Sequence, residues 1–139
     1  MIAKSKQNRI TCVTGCSRGL GRALSIALAA RGWKVAGCSR SEEHLDSLRK
    51  ELPPPHFFGS VDVRSEETVK KFAERALAEL GPPDLLLNNA GVINRNAPLT
   101  ALSDEEISKV LDVNIKGVAS VMRHFLPAME ERGQGVVVN

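Results

Sequence analysis

The stretch TGCSRGLG, residues 14–21, decides how this chain folds. It follows a run of strand-forming residues, RITCVTG (9–15), and it opens a segment with helical apolar spacing over 19–31. Three glycines between a strand and a helix permit a tight turn, close approach of a ligand to the backbone and close packing of the helix on the sheet. The amides that begin such a helix favour a phosphate. Taken alone, the stretch is explained equally well by a plain structural turn.

Strand-like and helix-like segments alternate along the rest of the chain. The pattern predicts strands at 33–39, 57–63, 83–91 and 135–139, and helices at 41–52, 65–80 and 103–126. The helical apolar stripes include Leu20, Leu111 and Ile115, and Ser103 and Glu106 have the spacing of a capping box. Strict alternation predicts parallel strands with right-handed crossovers, and hence an open α/β sheet covered on both faces. We expect the strand order 3-2-1-4-5.

Composition limits the class of protein. The 139 residues are 42% hydrophobic, which suits one domain at 9–139 after a basic N-terminal tail at 1–8. A scattered net charge of +3 and an aromatic content of 4% argue against a nucleic-acid partner. No apolar run approaches the roughly 20 residues of a membrane span, and there is no secretion signal. We expect a cytoplasmic protein with no membrane partner, although the short basic start is also compatible with an organelle signal.

Cysteine and histidine spacing gives no metal signature. The three cysteines are odd in number and lie in apolar or loop contexts, which suits reduced thiols. The three histidines are far apart in the sequence. We therefore expect no metal site.

Three motifs together resemble the short-chain dehydrogenase/reductase family. TGCSRGLG matches the family's TGxxxGxG cofactor turn, NNAG (88–91) matches its motif after strand four, and DVNIKG (112–117) resembles a third motif centred on Asn114. The similarity covers essentially the whole chain, in order and at family spacing. The resemblance implies a Rossmann-type doubly wound sheet and an oxidoreductase that transfers hydride to or from a carbonyl or alcohol substrate.

The resemblance also assigns site residues. In the family, the pair at Asp62 and Val63 contacts adenine, and the position of Asn114 belongs to a water-linked proton path and bends its helix, so Asn114 is the predicted catalytic residue. Two alternatives stay open: an asparagine that merely caps the end of strand four, and a buried Asn114 that only satisfies its own hydrogen bonds. The predicted cofactor-binding residues are Gly15, Ser17, Arg18, Gly19, Leu20, Gly21, Ser39, Arg40, Asp62, Val63, Asn89, Ala90 and Gly91.

The end of the second strand indicates which nicotinamide cofactor is bound. NAD sites place an acidic residue about 20 positions beyond the glycine turn, whereas NADP sites offer arginine. Here the strand ends on Ser39 and Arg40. Arg40 can fork onto a 2′-phosphate, and Arg18 resembles a second cation of NADP-preferring members. Glu42 and Glu43 are close enough to weaken this preference, but a favourable charge in the first turn of the next helix explains them more simply. We predict NADP(H).

The family's proton donors are missing from the chain. Reduction of a carbonyl needs a proton donor beside the oxygen, and the family supplies a serine after strand five and a Tyr-x-x-x-Lys pair on the following helix. The sequence has no tyrosine, and Asn139 matches the position before that serine. We therefore expect a truncated chain, a sheet incomplete on its C-terminal side and no activity by this chain alone. We also expect a homo-oligomer formed through helix 103–126, which resembles the family's dimer helix.

Three functions are compatible with these patterns. The first is an NADP(H)-dependent oxidoreductase, of which this chain is the cofactor-binding part. The second is a non-catalytic NADP-binding or dimer-partner protein that lacks the catalytic tyrosine. The third is a phosphoacceptor domain with Asp62 as acceptor, but such a site needs further carboxylates after strand one to hold Mg²⁺, where this chain has Thr-Gly-Cys-Ser.

Overall fold

The computed structural model describes residues 8–139, so the tail predicted at 1–8 lies, apart from Asn8, outside the described residues. The described chain forms one five-stranded parallel sheet in the order β3-β2-β1-β4-β5. This confirms the predicted fold class and strand order. The strands are β1 (Ile10–Thr14), β2 (Lys34–Ser39), β3 (Phe57–Ser60), β4 (Leu85–Leu87) and β5 (Val136–Val138).

Helices connect successive strands and cover the two faces of the sheet. They are α1 (Gly19–Ala30), α2 (Glu42–Glu51), α3 (Glu66–Leu80), α4 (Asp104–Leu111) and α5 (Val118–Arg132). A short 3-10 turn at Leu99–Ala101 precedes α4, and a π-helical turn at Asp112–Gly117 joins α4 to α5. Serine side chains cap α2 and α3, because Ser41 accepts a hydrogen bond from the His44 amide and Ser65 accepts one from the Thr68 amide.

The central strand β1 separates two hydrophobic cores. Successive side chains of a strand point to opposite faces, so Cys12 packs with the core under α3 and α5, and Val13 packs with the core under α1 and α2. Phe125 of α5 and Leu45 of α2 are fully buried on these two faces. The buried centre of the sheet holds the carboxyl ends of β1, β2 and β4 in fixed positions, and the candidate site is built on those ends.

The helix predicted at 103–126 differs from the observed one. A π-helical turn interrupts it, and α5 continues through Pro127 to Arg132. The turn brings Gly117 against Val63, where a Cβ atom would lie 2.8 Å from Val63 Cγ2.

The end of α5 is fixed to the segment before β4. The Arg132 guanidinium donates hydrogen bonds to the backbone carbonyls of Pro82 and Pro83. Gly133 then ends the helix in the left-handed conformation.

Several residues of the predicted apolar stripes are exposed. Leu20 is 67% exposed, Leu111 is 50% exposed and Ile115 is 63% exposed. On the edge strand β5, Val136 is 58% exposed and Val138 is 48% exposed. These residues lie on surfaces that no other element of residues 8–139 covers. Among the same residues, no helix is both long enough and apolar enough to cross a lipid bilayer.

Candidate cofactor site

A cavity of about 350 Å³ lies at the carboxyl ends of the strands. The chain proceeds from β1 to β3 in one direction across the sheet and from β4 to β5 in the other, and open parallel sheets bind ligands at such a switch point. Most of the predicted cofactor residues are brought together here. Those that line the cavity are Gly15, Ser17, Arg18, Gly19, Ser39, Arg40, Asp62, Val63, Asn89, Ala90 and Gly91.

Two predicted residues, Leu20 and Gly21, do not line the cavity. The Leu20 side chain points into solvent from the first turn of α1. Gly21 is buried, and a Cβ atom there would overlap the carbonyl oxygen of Gly15 and Nδ2 of Asn89. Gly21 therefore serves the close packing of α1 on the sheet.

Sequence reasoning missed other residues of the cavity wall. Ser41 and His44 line it because α2 begins directly beside the cavity, although the sequence pattern indicated only a helix start there. Val61 lines it together with the predicted Asp62 and Val63, because these three consecutive residues follow the end of β3. The remaining unpredicted lining residues are Cys38, Val92 and Val113.

The glycine turn is bonded to the segment after β4. Nδ2 of Asn89 donates to the backbone carbonyls of Thr14 at 3.0 Å and Gly15 at 3.2 Å, and the Ala90 amide donates to Thr14 Oγ1 at 2.9 Å. Asn89 and Ala90 are therefore bonded to the glycine turn, and β4 is limited to Leu85–Leu87, shorter than the predicted 83–91. Asn89 therefore does more than cap a strand end, because its amide holds the glycine turn in place.

Two arginines at the cavity are not held by a salt bridge in the described chain, although the charge of Arg40 acts, after the hydrogen bonds from Arg64, to lower the pKa of Asp62. Within residues 8–139, neither Arg18 nor Arg40 forms a salt bridge or a side-chain hydrogen bond, although both line the cavity. Three nearby arginines do have carboxylate partners: Arg22 binds Glu51, Arg49 binds Glu42 and Asp46, and Arg64 binds Asp62. The engagement of Glu42 by Arg49, at 2.5 Å, also removes one of the two carboxylates that were expected to weaken a phosphate site.

The Ser39 hydroxyl is buried and has no hydrogen-bond partner. A buried hydroxyl without a partner is destabilising by about 1–3 kcal/mol. Because Ser39 belongs to the wall of the cavity, between Cys38 and Arg40, an oxygen of a bound ligand is a partner for it. The Ser39 hydroxyl, which has no hydrogen-bond partner, therefore lies on the same cavity wall as the guanidiniums of Arg18 and Arg40, which form no salt bridge.

Asp62 is held by its neighbour Arg64. The guanidinium and backbone amide of Arg64 donate to the Asp62 carboxylate at 2.6–3.1 Å, and these hydrogen bonds keep the pKa of Asp62 below its usual range. Asp62 is therefore ionised and already paired. Over residues 8–139, no group of three or more His, Cys, Asp or Glu side chains is arranged to hold a metal ion.

The neighbouring Cys38 contributes an apolar surface to the cavity. Its thiol is fully buried, and burial raises the pKa of Cys38 well above its ordinary value. The thiol therefore remains protonated at physiological pH and is not a nucleophile.

Asn114 lies in the π-helical turn, beside a second cleft of about 720 Å³ that the NNAG motif also lines. Its Oδ1 accepts from the Val92 amide at 2.9 Å and its Nδ2 donates to the Val92 carbonyl at 2.8 Å. These bonds satisfy the side chain, as the structural alternative requires, and they also tie α5 to the segment after β4. The catalytic role of Asn114 stays a prediction.

Comparison with known proteins agrees with this geometry. The short chain dehydrogenase family model matches residues 9–139. The NADPH-dependent pterin aldehyde reductase of Arabidopsis thaliana is 45% identical over 133 residues, which are 94% of this chain and 55% of that protein. The chain spans about half the length of the curated relatives it matches.

Solved structures share the fold. Actinorhodin polyketide ketoreductase with NADPH superposes with a TM-score of 0.90 at 32% identity, covering 97% of this chain and 53% of that one. An alcohol dehydrogenase from the archaeon Thermococcus sibiricus, complexed with 5-hydroxy-NADP, superposes with a TM-score of 0.85 at 31% identity. The match covers 93% of this chain and 57% of the alcohol dehydrogenase. The family match, these likenesses and the strand order together show that the chain belongs to the short-chain dehydrogenase family.

Proposed function

We propose that residues 9–139 are the NADP(H)-binding domain of an oxidoreductase that transfers hydride between its cofactor and a carbonyl or alcohol substrate. The observation that carries the proposal is the cavity wall of Ser39, Arg40 and Arg18, with one orphaned hydroxyl and two unpaired cations. The names of the relatives support it, since the Arabidopsis protein is described as NADPH-dependent and several superposable structures contain NADP or NADPH.

The glycine turn fits a pyrophosphate. Gly19 has a φ of 54°, and no atom lies within 4 Å of the position of a Cβ there, so the turn is open. The first intrahelical bond of α1 runs from the Arg22 amide to the Arg18 carbonyl, which leaves the preceding amides of the first turn without helical partners. Those amides would hold the two phosphates. Leu20 would contribute its backbone amide, which explains how an exposed side chain belongs to a cofactor motif.

The 2′-phosphate of NADP(H) would lie against Arg18, Arg40 and Ser39. It carries close to two negative charges at neutral pH, and NAD(H) offers only hydroxyls at the same place. Each charge-assisted hydrogen bond contributes about 1.5–3 kcal/mol when well formed and less at an exposed side chain. The wall therefore favours NADP(H) by at least about tenfold.

Asp62 and Val63 would contact the adenine. The Asp62 carboxylate is ionised and fixed by Arg64, so it presents acceptor oxygens in a defined position. The Val63 side chain, which packs against Gly117, gives that part of the cavity an apolar surface.

The bound cofactor supplies the hydride, and residues of this chain hold the cofactor and shape one side of the reaction site. Asn114 and Val92 would position the segment beside the nicotinamide. The 139 residues contain no tyrosine, so we propose that they bind NADPH without reducing a carbonyl. An aromatic aldehyde such as a pterin aldehyde is the first substrate class to assay with a longer form, given the name of the Arabidopsis relative. The location in the cytoplasm is likewise a proposal.

The second hypothesis, a non-catalytic NADP-binding partner protein, rests on the same cavity and the same missing tyrosine. Binding measurements on this chain do not separate it from the first. An activity assay on a form that continues past residue 139 would separate the two hypotheses. The oxidoreductase reduces aldehydes with NADPH, whereas the non-catalytic partner protein binds NADPH without turnover.

Titration with reduced cofactors tests the proposal. We expect this chain to bind NADPH at least about tenfold more tightly than NADH, and Arg40→Ala to weaken NADPH binding by about tenfold with NADH affinity nearly unchanged. Nicotinamide fluorescence measures both affinities. Arg31→Ala is the matched control, since Arg31 is exposed at the far end of α1 and its guanidinium donates to the Ala27 carbonyl, away from the cavity. Absence of NADPH binding, or equal loss for both cofactors in Arg40→Ala, would contradict the proposal.

A further inference from the structure

His44 lies on the cavity wall that carries the two unpaired arginines. It occupies the first turn of α2, four residues after Arg40, and its backbone amide is held by the side chain of the capping Ser41 at 3.3 Å. Its imidazole is exposed to solvent and faces the cavity that we assign to the cofactor. Neither the glycine turn nor the strand-end arginine of the sequence pattern indicates this residue.

Charged groups from every element around His44 define its surroundings. Arg18 comes from the turn after β1 and Arg40 from the end of β2. Asp62, after β3, is paired with Arg64, and the charge of Arg40 also acts on it. On α2 itself, Glu43 is adjacent in sequence, whereas Glu42 and Asp46 are both bound to Arg49. Most nearby carboxylate charge is therefore neutralised by other arginines, and an anion bound at this wall is the group that can attract a protonated imidazole.

We infer that His44 is a third, pH-dependent contact for the 2′-phosphate of NADP(H). The inference rests on the proposed function and adds a residue that helps to distinguish NADP(H) from NAD(H). An imidazole gains its charge between about pH 8 and pH 5. As the pH falls through part of the same range, the 2′-phosphate gains a proton, because its second ionisation lies near pH 6. The phosphate then carries less negative charge, so its attraction to the arginines weakens. A charged His44 compensates for this loss.

Stacking on the adenine is the competing role for an exposed imidazole at this wall. Stacking acts on the base, which NADPH and NADH share, and it contributes about equally to both cofactors. A phosphate contact acts on NADPH alone and depends on the imidazole charge. The two roles therefore differ in cofactor dependence and in pH dependence.

The test compares wild type, His44→Gln and His44→Lys by NADPH and NADH titration at pH 6.0 and pH 8.0. At pH 8.0 we expect wild type and His44→Gln to bind NADPH within about twofold, and at pH 6.0 we expect His44→Gln to bind about fivefold more weakly. His44→Lys keeps a charge at both pH values and should bind NADPH at least as tightly as wild type throughout. His124→Gln is the matched control, since His124 lies on α5 and bonds Glu66 outside the cavity.

Each outcome decides between the two ideas. If wild type and His44→Gln bind NADPH equally tightly at pH 6.0 and both still prefer NADPH over NADH, the proposed role of His44 is wrong. The proposed function is then unaffected. Equal losses for NADPH and NADH in His44→Gln indicate stacking and also overturn the role of His44. Failure of the wild-type chain to prefer NADPH at either pH overturns the proposed function, and the role of His44 with it.

Discussion

Gly19 and Gly21 belong to one motif but are required for different physical reasons. Gly19 has a positive φ of 54° and faces open space, so its backbone conformation is what disfavours a side chain. Gly21 is in α1, where an alanine would ordinarily be favoured, but the carbonyl of Gly15 and the amide of Asn89 occupy the space of its Cβ. Substitution at Gly21 therefore tests tertiary packing separately from backbone conformation.

We expect Gly21→Ala to destabilise the protein and to reduce NADPH binding, because the new methyl group must displace the glycine turn and Asn89. Helix propensity alone predicts the opposite, a gain of about 1 kcal/mol. Ala23→Gly is the matched control at an exposed position of the same helix, and it should lose about 1 kcal/mol with cofactor affinity unchanged. Urea unfolding and NADPH titration measure these effects. A stabilised Gly21→Ala protein with normal NADPH affinity would show that the packing is looser than described.

At the scale of elements, the start of α4 anchors the loop that precedes it. Ser103 Oγ accepts from the Glu106 amide at 3.2 Å, and Glu106 Oε2 accepts from the Ser103 amide at 2.9 Å, which completes the predicted capping box. The other carboxylate oxygen of Glu106 binds Arg95 at 2.6 Å. One helix start therefore fixes both the direction of α4 and the position of the preceding loop.

We predict that Ser103→Ala lowers the free energy of unfolding by about 1 kcal/mol, because the Glu106 amide loses its partner. Ser108→Ala, an exposed change in the middle of the same helix, removes the same hydroxyl without a cap and should be neutral or stabilising by up to about 0.5 kcal/mol. Chemical denaturation of both variants measures the difference. Equal stabilities for Ser103→Ala and Ser108→Ala would mean that the cap contributes nothing to the free energy of unfolding.

On the scale of the whole molecule, two of the exposed apolar surfaces of residues 8–139 bear on association. One is the helical surface of Leu111 and Ile115, and the other is the edge strand β5 with Val136 and Val138. Exposed apolar patches and unpaired strand edges both promote association. The helical surface belongs to the segment that was predicted to form a homo-oligomer, so the prediction of association is tested there first.

We expect this chain to self-associate with rising concentration, and Ile115→Lys to shift it towards monomer, because a charge is unfavourable in an apolar contact. Val138→Lys places the same charge on the edge strand and serves as the comparison. Sedimentation velocity across a concentration series measures both variants. A monomeric wild-type chain contradicts the prediction, and a shift to monomer in Val138→Lys alone assigns the contact to β5.

The sequence by itself determined the kind and order of the elements and most residues of the cavity wall. Periodicity, glycine turns and helix caps act over a few residues, so they can be recognised without a structure, as Ser103 with Glu106 and the glycine turn show. The sequence also predicted Arg18 and Arg40 at the cavity, since Arg18 belongs to the glycine turn and Arg40 directly follows the end of β2.

Only the tertiary structure decided which of these groups are free to act. The bond from Asn89 to Thr14 joins residues 75 positions apart, and Glu42 pairs with Arg49 rather than with Arg40. The tertiary structure also places His44 at the cavity and leaves Ile115 exposed. Burial and charge pairing depend on segments that are distant in the chain, and for that physical reason no local pattern contains them.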